Sequence, residues 1–283
     1  MRKLIFGSLV AVLAAVLAGC GGGSKSSTTT TQATSTAAAA AQIAPPSSIK
    51  NAGSIVWCSD VTYPPEEFFQ GTTPVGSDID IAKAISQMMG VKADISNTGF
   101  DGIIAALLGS KCDAIISGMN DTPERAKQVA FVDYLSVGQS LMVKKGNPAN
   151  VTNLQSLAGK SVSVEVGTTN KDFLDVANKK LSKKMDIVTF PKDTDAANAL
   201  KTGKVDAYFG DSPVVAYYIQ QDPASFAFAG SPINPIPVGI AVRKNEAELK
   251  TAISQAVDKL YSSGKMKQIL AKWHMSAFAL KNK

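Results

Sequence analysis

Asp113-Ala114-Ile115-Ile116-Ser117-Gly118-Met119-Asn120-Asp121-Thr122-Pro123-Glu124-Arg125 carries the change of backbone that decides the fold. Ala114 to Ile116 is a short, branched, apolar run with the character of a buried strand. Ser117-Gly118 ends it, and Thr122-Pro123 reads as an N-cap followed by proline at the first helical position. The chain therefore passes from strand through polar turn to helix start, with Arg125 in the first helical turn. A cation there is opposed by the helix dipole. Its presence suggests a guanidinium placed to meet something negative, such as a carboxylate held in two parallel hydrogen bonds. The plainer alternative is a surface arginine paired with Glu124 or Glu67.

The segments on either side repeat the same logic. Upstream, Ser54 to Ser59 reads as a strand running into Asp60-Val61-Thr62-Tyr63-Pro64-Pro65, a turn that the prolines keep from being helix. Asp78 to Met89 is amphipathic, with Ile81, Ile85, Met88 and Met89 on one face and Gly90 as its stop. Val91 to Ser96 is a strand, and Phe100 to Leu108 a helix stopped by Gly109. Downstream, Ser136 to Lys145 reads as a β-prone crossing segment. Strands at Ser161–Val166, Asp186–Phe190 and Val205–Phe209 then alternate with helices through Lys180, at Thr194–Thr202 and through Gln220. Prolines 232, 235 and 237 punctuate a return crossing into Val238 to Arg243, and helices at Glu246–Ser262 and Lys265–Trp273 close the chain. Strands alternating with helices imply parallel sheets covered on both faces. Two crossings divide the α/β units into a first lobe, residues 49–139 and 238–283, and a second, 140–237, with a cleft between them.

The remaining residues precede the globular part. Met1-Arg2-Lys3 followed by the apolar run Leu4–Leu17 describes a secretory leader rather than a spanning helix. Leu17-Ala18-Gly19-Cys20 resembles the bacterial lipoprotein box, which implies that Cys20 is lipidated and that the chain is anchored on a membrane; the alternative is ordinary cleavage and secretion. Residues 21–48, rich in Gly, Ser, Thr and Ala, read as a disordered tether of roughly 30 Å.

Hydrophobic content of 45% with 18% charged residues fits a globular core. Of 29 basic side chains, Arg2 and Lys3 belong to the leader, which leaves 27 against 23 acidic ones, a net +4. Without a basic cluster interleaved with aromatics, nucleic acid is not an expected partner. The small excess reads as a solvated surface. Cys58 near the end of one strand and Cys112 at the start of another would be offset by several residues at ~3.3 Å each, beyond disulfide reach. Two free buried thiols are expected. No metal-ligand spacing occurs, and neither a metal nor a cofactor is expected.

Ile116 to Arg125 resembles the signature of the extracellular amino-acid-binding proteins of ABC transporters. The resemblance runs from about Ile55 to Trp273 and includes Asp60–Pro65, Val75–Asp80, Phe100-Asp101-Gly102, Val166–Thr169 and Gly210–Pro213, in the family's order and spacing. It implies a two-lobed, periplasmic-binding-protein-like α/β fold of type II, a monomer on the extracytoplasmic face, a free amino acid as ligand and a membrane permease as partner.

Most of these motifs fall at carboxyl ends of strands, where ligands gather in parallel α/β sheets. Thr168 and Thr169 open a helix, so their N–H groups form an anion site; the Thr169 N–H can join Arg125 in holding a carboxylate, and Asp211 can accept an ammonium. The resemblance assigns the same roles, adds backbone contacts from Gly118 and Asn120, and places Tyr63 and Phe100 around the ligand side chain. Thr169 and Asp211 have a simpler alternative as helix caps, and the two aromatics as core residues. The family often has aromatics where this chain has Glu66 and Ser77, and Glu165 stands at a position that faces the side-chain pocket in many relatives. Asp60, Glu66 and Glu165 then favour a cationic side chain, with a neutral pocket suited to glutamine as the alternative. A few relatives dehydrate small acids, for which Asp60 and Glu66 offer a carboxylate pair. A sensor that docks a receptor is a third reading.

Overall fold

The structure is a computed structural model that describes residues 42–281. The chain begins with α1 (Ser47–Ala52) and β1 (Ser54–Ser59), then a small antiparallel sheet of β2 (Thr62–Tyr63), β3 (Glu67–Gln70) and β4 (Thr73–Val75). Next come α2 (Ser77–Met88), β5 (Lys92–Asn97), α3 (Ile103–Leu108), β6 (Ala114–Ile115) and the single turn α4 (Pro123–Ala126). After the long strand β7 (Val129–Lys144) follow β8 (Ser161–Glu165), α5 (Thr169–Lys180), β9 (Asp186–Phe190), α6 (Asp193–Lys201), β10 (Ala207–Asp211) and α7 (Ser212–Gln221). A second long strand, β11 (Phe226–Arg243), leads into α8 (Ala247–Ser262) and α9 (Lys265–Lys272).

The main sheet has the order β5-β1-β6-β11-β7-β10-β8-β9. Its two ends are parallel triplets, β5-β1-β6 and β10-β8-β9. Between them β11 and β7 run antiparallel to each other and to their outer neighbours. The parallel units are those expected from strand–helix alternation. The crossings are longer than expected, because β7 and β11 pass through both halves as continuous strands. Their ladder shifts register at Ala229/Ile233, Ile233/Ile236 and Val238/Gly239. Pro232, Pro235 and Pro237 fall in this stretch, where a residue without an N–H cannot sustain regular pairing.

Each half has its own core. In the first, Trp57, Ile81, Ile85, Ile253, Val257 and Leu270 bury between the sheet and helices α2, α8 and α9. On the sheet's other face, Cys58, Ile103, Leu107 and Ile115 pack beneath α3. In the second half, Val162, Val164, Leu174 and Phe209 form one layer, and Leu200, Tyr208 and Val214 another.

Two expectations are corrected. Cys58 and Cys112 form a disulfide, with Cα atoms 5.7 Å apart. The expected offset assumed that Cys112 extends the ladder in a straight line. Instead β6 starts at Ala114, opposite Trp57, and the chain ahead of it bends through Ser110, whose φ is 57°. Asp113 N–H ties this bend to the Val56 carbonyl at 2.8 Å, and Cys112 comes up beside Cys58 on the α3 face. The second correction concerns the tether, whose last residues are folded. The N–H groups of Gln42 and Ile43 donate to the Met88 carbonyl at 2.8 and 3.0 Å, and Ile43 joins Ile49 in the first core. Burying two branched side chains offsets the entropy of ordering the short segment between them. The leader, Cys20 and the rest of the tether lie outside the described residues.

Candidate ligand-binding site

The site forms where the ends of β6, β8 and β10 face the turn after β1. Gly118, next to β6, has a φ of 50°, and a Cβ there would meet the Tyr63 ring at 3.2 Å. Only glycine lets the backbone approach that ring so closely. Thr122 caps α4 as expected, its Oγ1 accepting from the Arg125 N–H at 3.2 Å. With just four residues in α4, however, the helix dipole has little part in aiming Arg125. Its guanidinium is held instead by the Asn120 carbonyl at 3.0 Å and the Gly167 carbonyl at 3.1 Å, 5.3 Å from the centre of the Phe100 ring. The alternative ion partners are taken, since Glu124 pairs with Lys127 and Glu67 accepts from Ser117.

From the other half, Thr168 rather than Thr169 caps α5, accepting from the Lys171 N–H at 3.2 Å. Thr169 is thereby free, and its hydroxyl donates across the cleft to Asn120 Oδ1 at 2.5 Å. Asp211 occupies the cap position of α7 but makes no side-chain cap bond. Its carboxylate accepts from Asn170 Nδ2 at 3.1 Å, and its N–H donates to the Tyr63 hydroxyl at 3.3 Å. The simpler alternatives for Thr169, Asp211 and Arg125 thus account for none of the three.

Tyr63, Phe100, Gly118, Asn120, Arg125, Glu165, Thr169 and Asp211 line one cavity, joined by Thr168 and Asn170. The space free in it for a water-sized sphere is about 10 Å³, about one water molecule, so an amino acid fits only when the walls part. Sequence reasoning named Thr168 beside Thr169 at the start of α5 but missed Asn170, the next residue of the same helix, as a lining residue. Asp60 and Glu66 do not line the cavity. Asp60 stands behind Phe100, its carboxylate accepting from the Thr62 hydroxyl at 2.6 Å and the Phe100 N–H at 2.8 Å. Glu66 is fully buried beside Asp78.

The electrostatics are one-sided. Loss of water pushes the Asp211 carboxyl up to about 6, against the opposing hydrogen bonds of Asn170, Tyr63 and Gln139 and the charge of Arg125. Burial raises Glu165 well above the ordinary glutamate value, reinforced by Asp193, Asp60 and Asp211. Asp193, at the start of α6, is pushed up to about 7 by burial despite hydrogen bonds from Tyr208 and Tyr218. Burial lowers Arg125, while Asp172 and Asp211 oppose that. The lining thus offers one guanidinium and a hydroxyl toward an anion, and the carboxyl groups of Glu165 and Asp211 toward a cation, with Asp60, Glu66 and Asp193 buried behind them. No cluster of three or more metal-ligating side chains occurs among the described residues, and no helix among them is long and apolar enough to cross a membrane.

The model of the bacterial extracellular solute-binding proteins, family 3, matches residues 55–276. A putative ABC transporter arginine-binding protein 2 of Escherichia coli (strain K12) is 31% identical over 230 residues, which are 78% of this chain and 91% of that protein. Among solved structures, an ancestral arginine-binding protein bound to arginine superposes with a TM-score of 0.74 at 37% identity, covering 78% of this chain and 98% of that one. The ancestral amino-acid-binding protein described as a precursor of cyclohexadienyl dehydratase gives a TM-score of 0.74 at 32% identity, covering 80% and 97%.

Proposed function

Because the chain belongs to the bacterial extracellular solute-binding proteins of family 3, we propose that it captures a cationic L-amino acid, arginine, lysine or ornithine, for delivery to an ABC permease. The observation that carries the choice of ligand is the excess of buried carboxyl groups, Glu165, Asp193, Asp60 and Asp211, around a cavity whose lining contains a single cation, Arg125. Arg125 and Thr169 take the α-carboxylate, Asp211 takes the α-ammonium, and Tyr63 and Phe100 enclose the ligand side chain. Gly118 and Asn120 contribute backbone contacts. Glu165 then faces the side-chain cation, with Asp60 and Glu66 adding negative potential from behind the wall. An acidic ligand would add a like charge in a desolvated site, at a cost of several kcal/mol. Arginine-binding relatives support the same choice.

The lobes divide at residues 139/140 and 237/238, and closure brings Arg125 to the Gly167 carbonyl and Asn120 to Thr169. The protein acts as a monomer without a cofactor, held to the extracytoplasmic face by lipidated Cys20. A thermal-shift panel of the common amino acids tests the ligand, since a tight ligand raises the melting temperature by mass action. Stabilisation by arginine or lysine is expected; stabilisation by glutamate or aspartate alone overturns the cationic reading, and by glutamine alone favours a neutral pocket. Cys20→Ser should release the protein from membranes, and retention at wild-type levels refutes the anchor.

A second reading, dehydration of a small acid, rests on Glu165, whose burial favours a protonated carboxyl in the cavity. Formation of product from candidate acids would support it; binding without turnover supports the transport reading.

A further inference from the structure

Behind the cavity, on the side of Gly118 away from the ligand, Glu66, Glu67 and Asp78 are buried together at 1%, 0% and 0% exposure. Among the described residues no basic side chain forms a salt bridge with any of them. Two of the three are wired to the site. Glu67 Oε1 accepts from the Ser117 hydroxyl at 2.8 Å, and Ser117 Oγ in turn accepts the Asp60 N–H at 2.8 Å. Asp78 Oδ2 accepts the Gly118 N–H at 2.9 Å and the Tyr134 hydroxyl at 2.6 Å. The other oxygens, Glu67 Oε2 and Asp78 Oδ1, receive no N–H or O–H from any other residue. The two carboxyl groups hang on consecutive residues, Ser117 and Gly118, close enough for each to feel the other's charge. An ionised carboxylate can only accept, so two such groups can bond to each other only when one of them carries a proton.

We propose that Glu67 and Asp78 share one proton between Oε2 and Oδ1, and that this pair is the fixture positioning Gly118 in the cavity wall and Asp60 behind it. One proton satisfies both oxygens that otherwise lack a donor, and it removes the repulsion of two neighbouring buried carboxylates. Glu67 and Asp78 are positioning residues, since neither lines the cavity. The inference rests on the cavity being the amino-acid site.

Burial pushes both carboxyls upward, with Glu66 and Asp60 adding to the effect on Glu67. The titratable groups facing the pair are Glu66 from the same turn, Asp60 from the end of β1 and Tyr134 from β7; all are acids. An acid whose pKa is raised by folding binds more protons folded than unfolded. Its contribution is intact below the unfolded value, near 4.5 for Glu67, and is lost as pH climbs toward the folded value. Glu67→Gln replaces the shared proton with an amide hydrogen that cannot leave, so the variant escapes that loss.

Three measurements test the proposal. Infrared difference spectroscopy at neutral pH should show, beside the bands of the other raised acids, a protonated-carboxyl band in the wild type that is missing from Glu67→Gln. Melting temperatures between about pH 5 and pH 9 should show the variant gaining on the wild type as pH rises. By calorimetry with L-arginine, Glu67→Ala should bind about tenfold more weakly, and Glu67→Gln within about threefold of the wild type. If Glu67→Ala does not fold, Ser117→Ala, which cuts the same link to Asp60, should show the tenfold loss. An unchanged carboxyl band with parallel melting curves refutes the shared proton. Wild-type affinity in the folded alanine variant refutes the positioning role. The infrared and melting arms use no ligand, so they stand or fall independently of whether arginine is bound.

Discussion

Asp211→Asn should make the protein more stable and nearly unable to hold its ligand. The Asp211 carboxyl is buried and pushed from an ordinary 3.8 up to about 6 by loss of water. An acid with a raised folded pKa is favourable to folding below 3.8 and loses that contribution as pH climbs to about 6. The difference between those values corresponds to about 3 kcal/mol at neutral pH. This is an upper limit, because opening the cleft returns water to the group. Asparagine keeps an acceptor for Asn170 and removes the charge, so it recovers part of that cost. For a domain of this size the gain amounts to a melting temperature higher by up to about 6–12 °C. The same change leaves an α-ammonium without its counter-charge in a desolvated site. Losing one member of such a pair costs about 2–5 kcal/mol, or at least ~30-fold in affinity. Scanning fluorimetry with and without L-arginine at about pH 7 separates the two effects. The variant should melt higher than the wild type alone, and arginine should add little to it. A variant that melts lower, or that gains as much from arginine as the wild type does, refutes the reasoning.

Other outcomes follow from the same geometry. Acid should release the ligand, because Asp211 must be ionised to pair with an ammonium: with the carboxyl at about 6, affinity measured by calorimetry should be about tenfold weaker at pH 5 than at pH 7. Arg125→Ala removes the cavity's guanidinium and should weaken arginine binding by at least ~30-fold, with the fold intact by circular dichroism. Replacing Cys58 and Cys112 by serine opens a loop with a sequence separation of 54 residues and should cost about 2–4 kcal/mol in urea unfolding. Gly118→Ala forces a side chain into a left-handed conformation against Tyr63 and should cost about 1–3 kcal/mol in stability, with weaker ligand binding.

Much of this protein is local in origin and so is legible in the chain. The strand from Ser54 to Ser59, the strand from Asp186 to Phe190 and the helix ending at Ser262 have the bounds expected from periodicity, caps and glycine stops. Hydrophobic spacing and capping chemistry act within a few residues, which is the range a sequence exposes directly. Eight of the ten residues expected at the site line one cavity because they sit in turns at strand ends, which the motifs mark and the parallel topology gathers. What the chain did not reveal depends on contacts between distant segments. The bend at Ser110 that joins Cys112 to Cys58, the docking of Ile43 against α2, and the passage of β7 and β11 through both halves all need the sheet assembled first. The placement of charges is of the same kind. Asp60 and Glu66 stand behind the cavity wall, Asp193 arrives from another helix, and Glu67 meets Asp78 across 11 positions. Whether a carboxyl faces ligand, a neighbour or water is set by which surfaces exclude solvent together, and only the tertiary structure decides that.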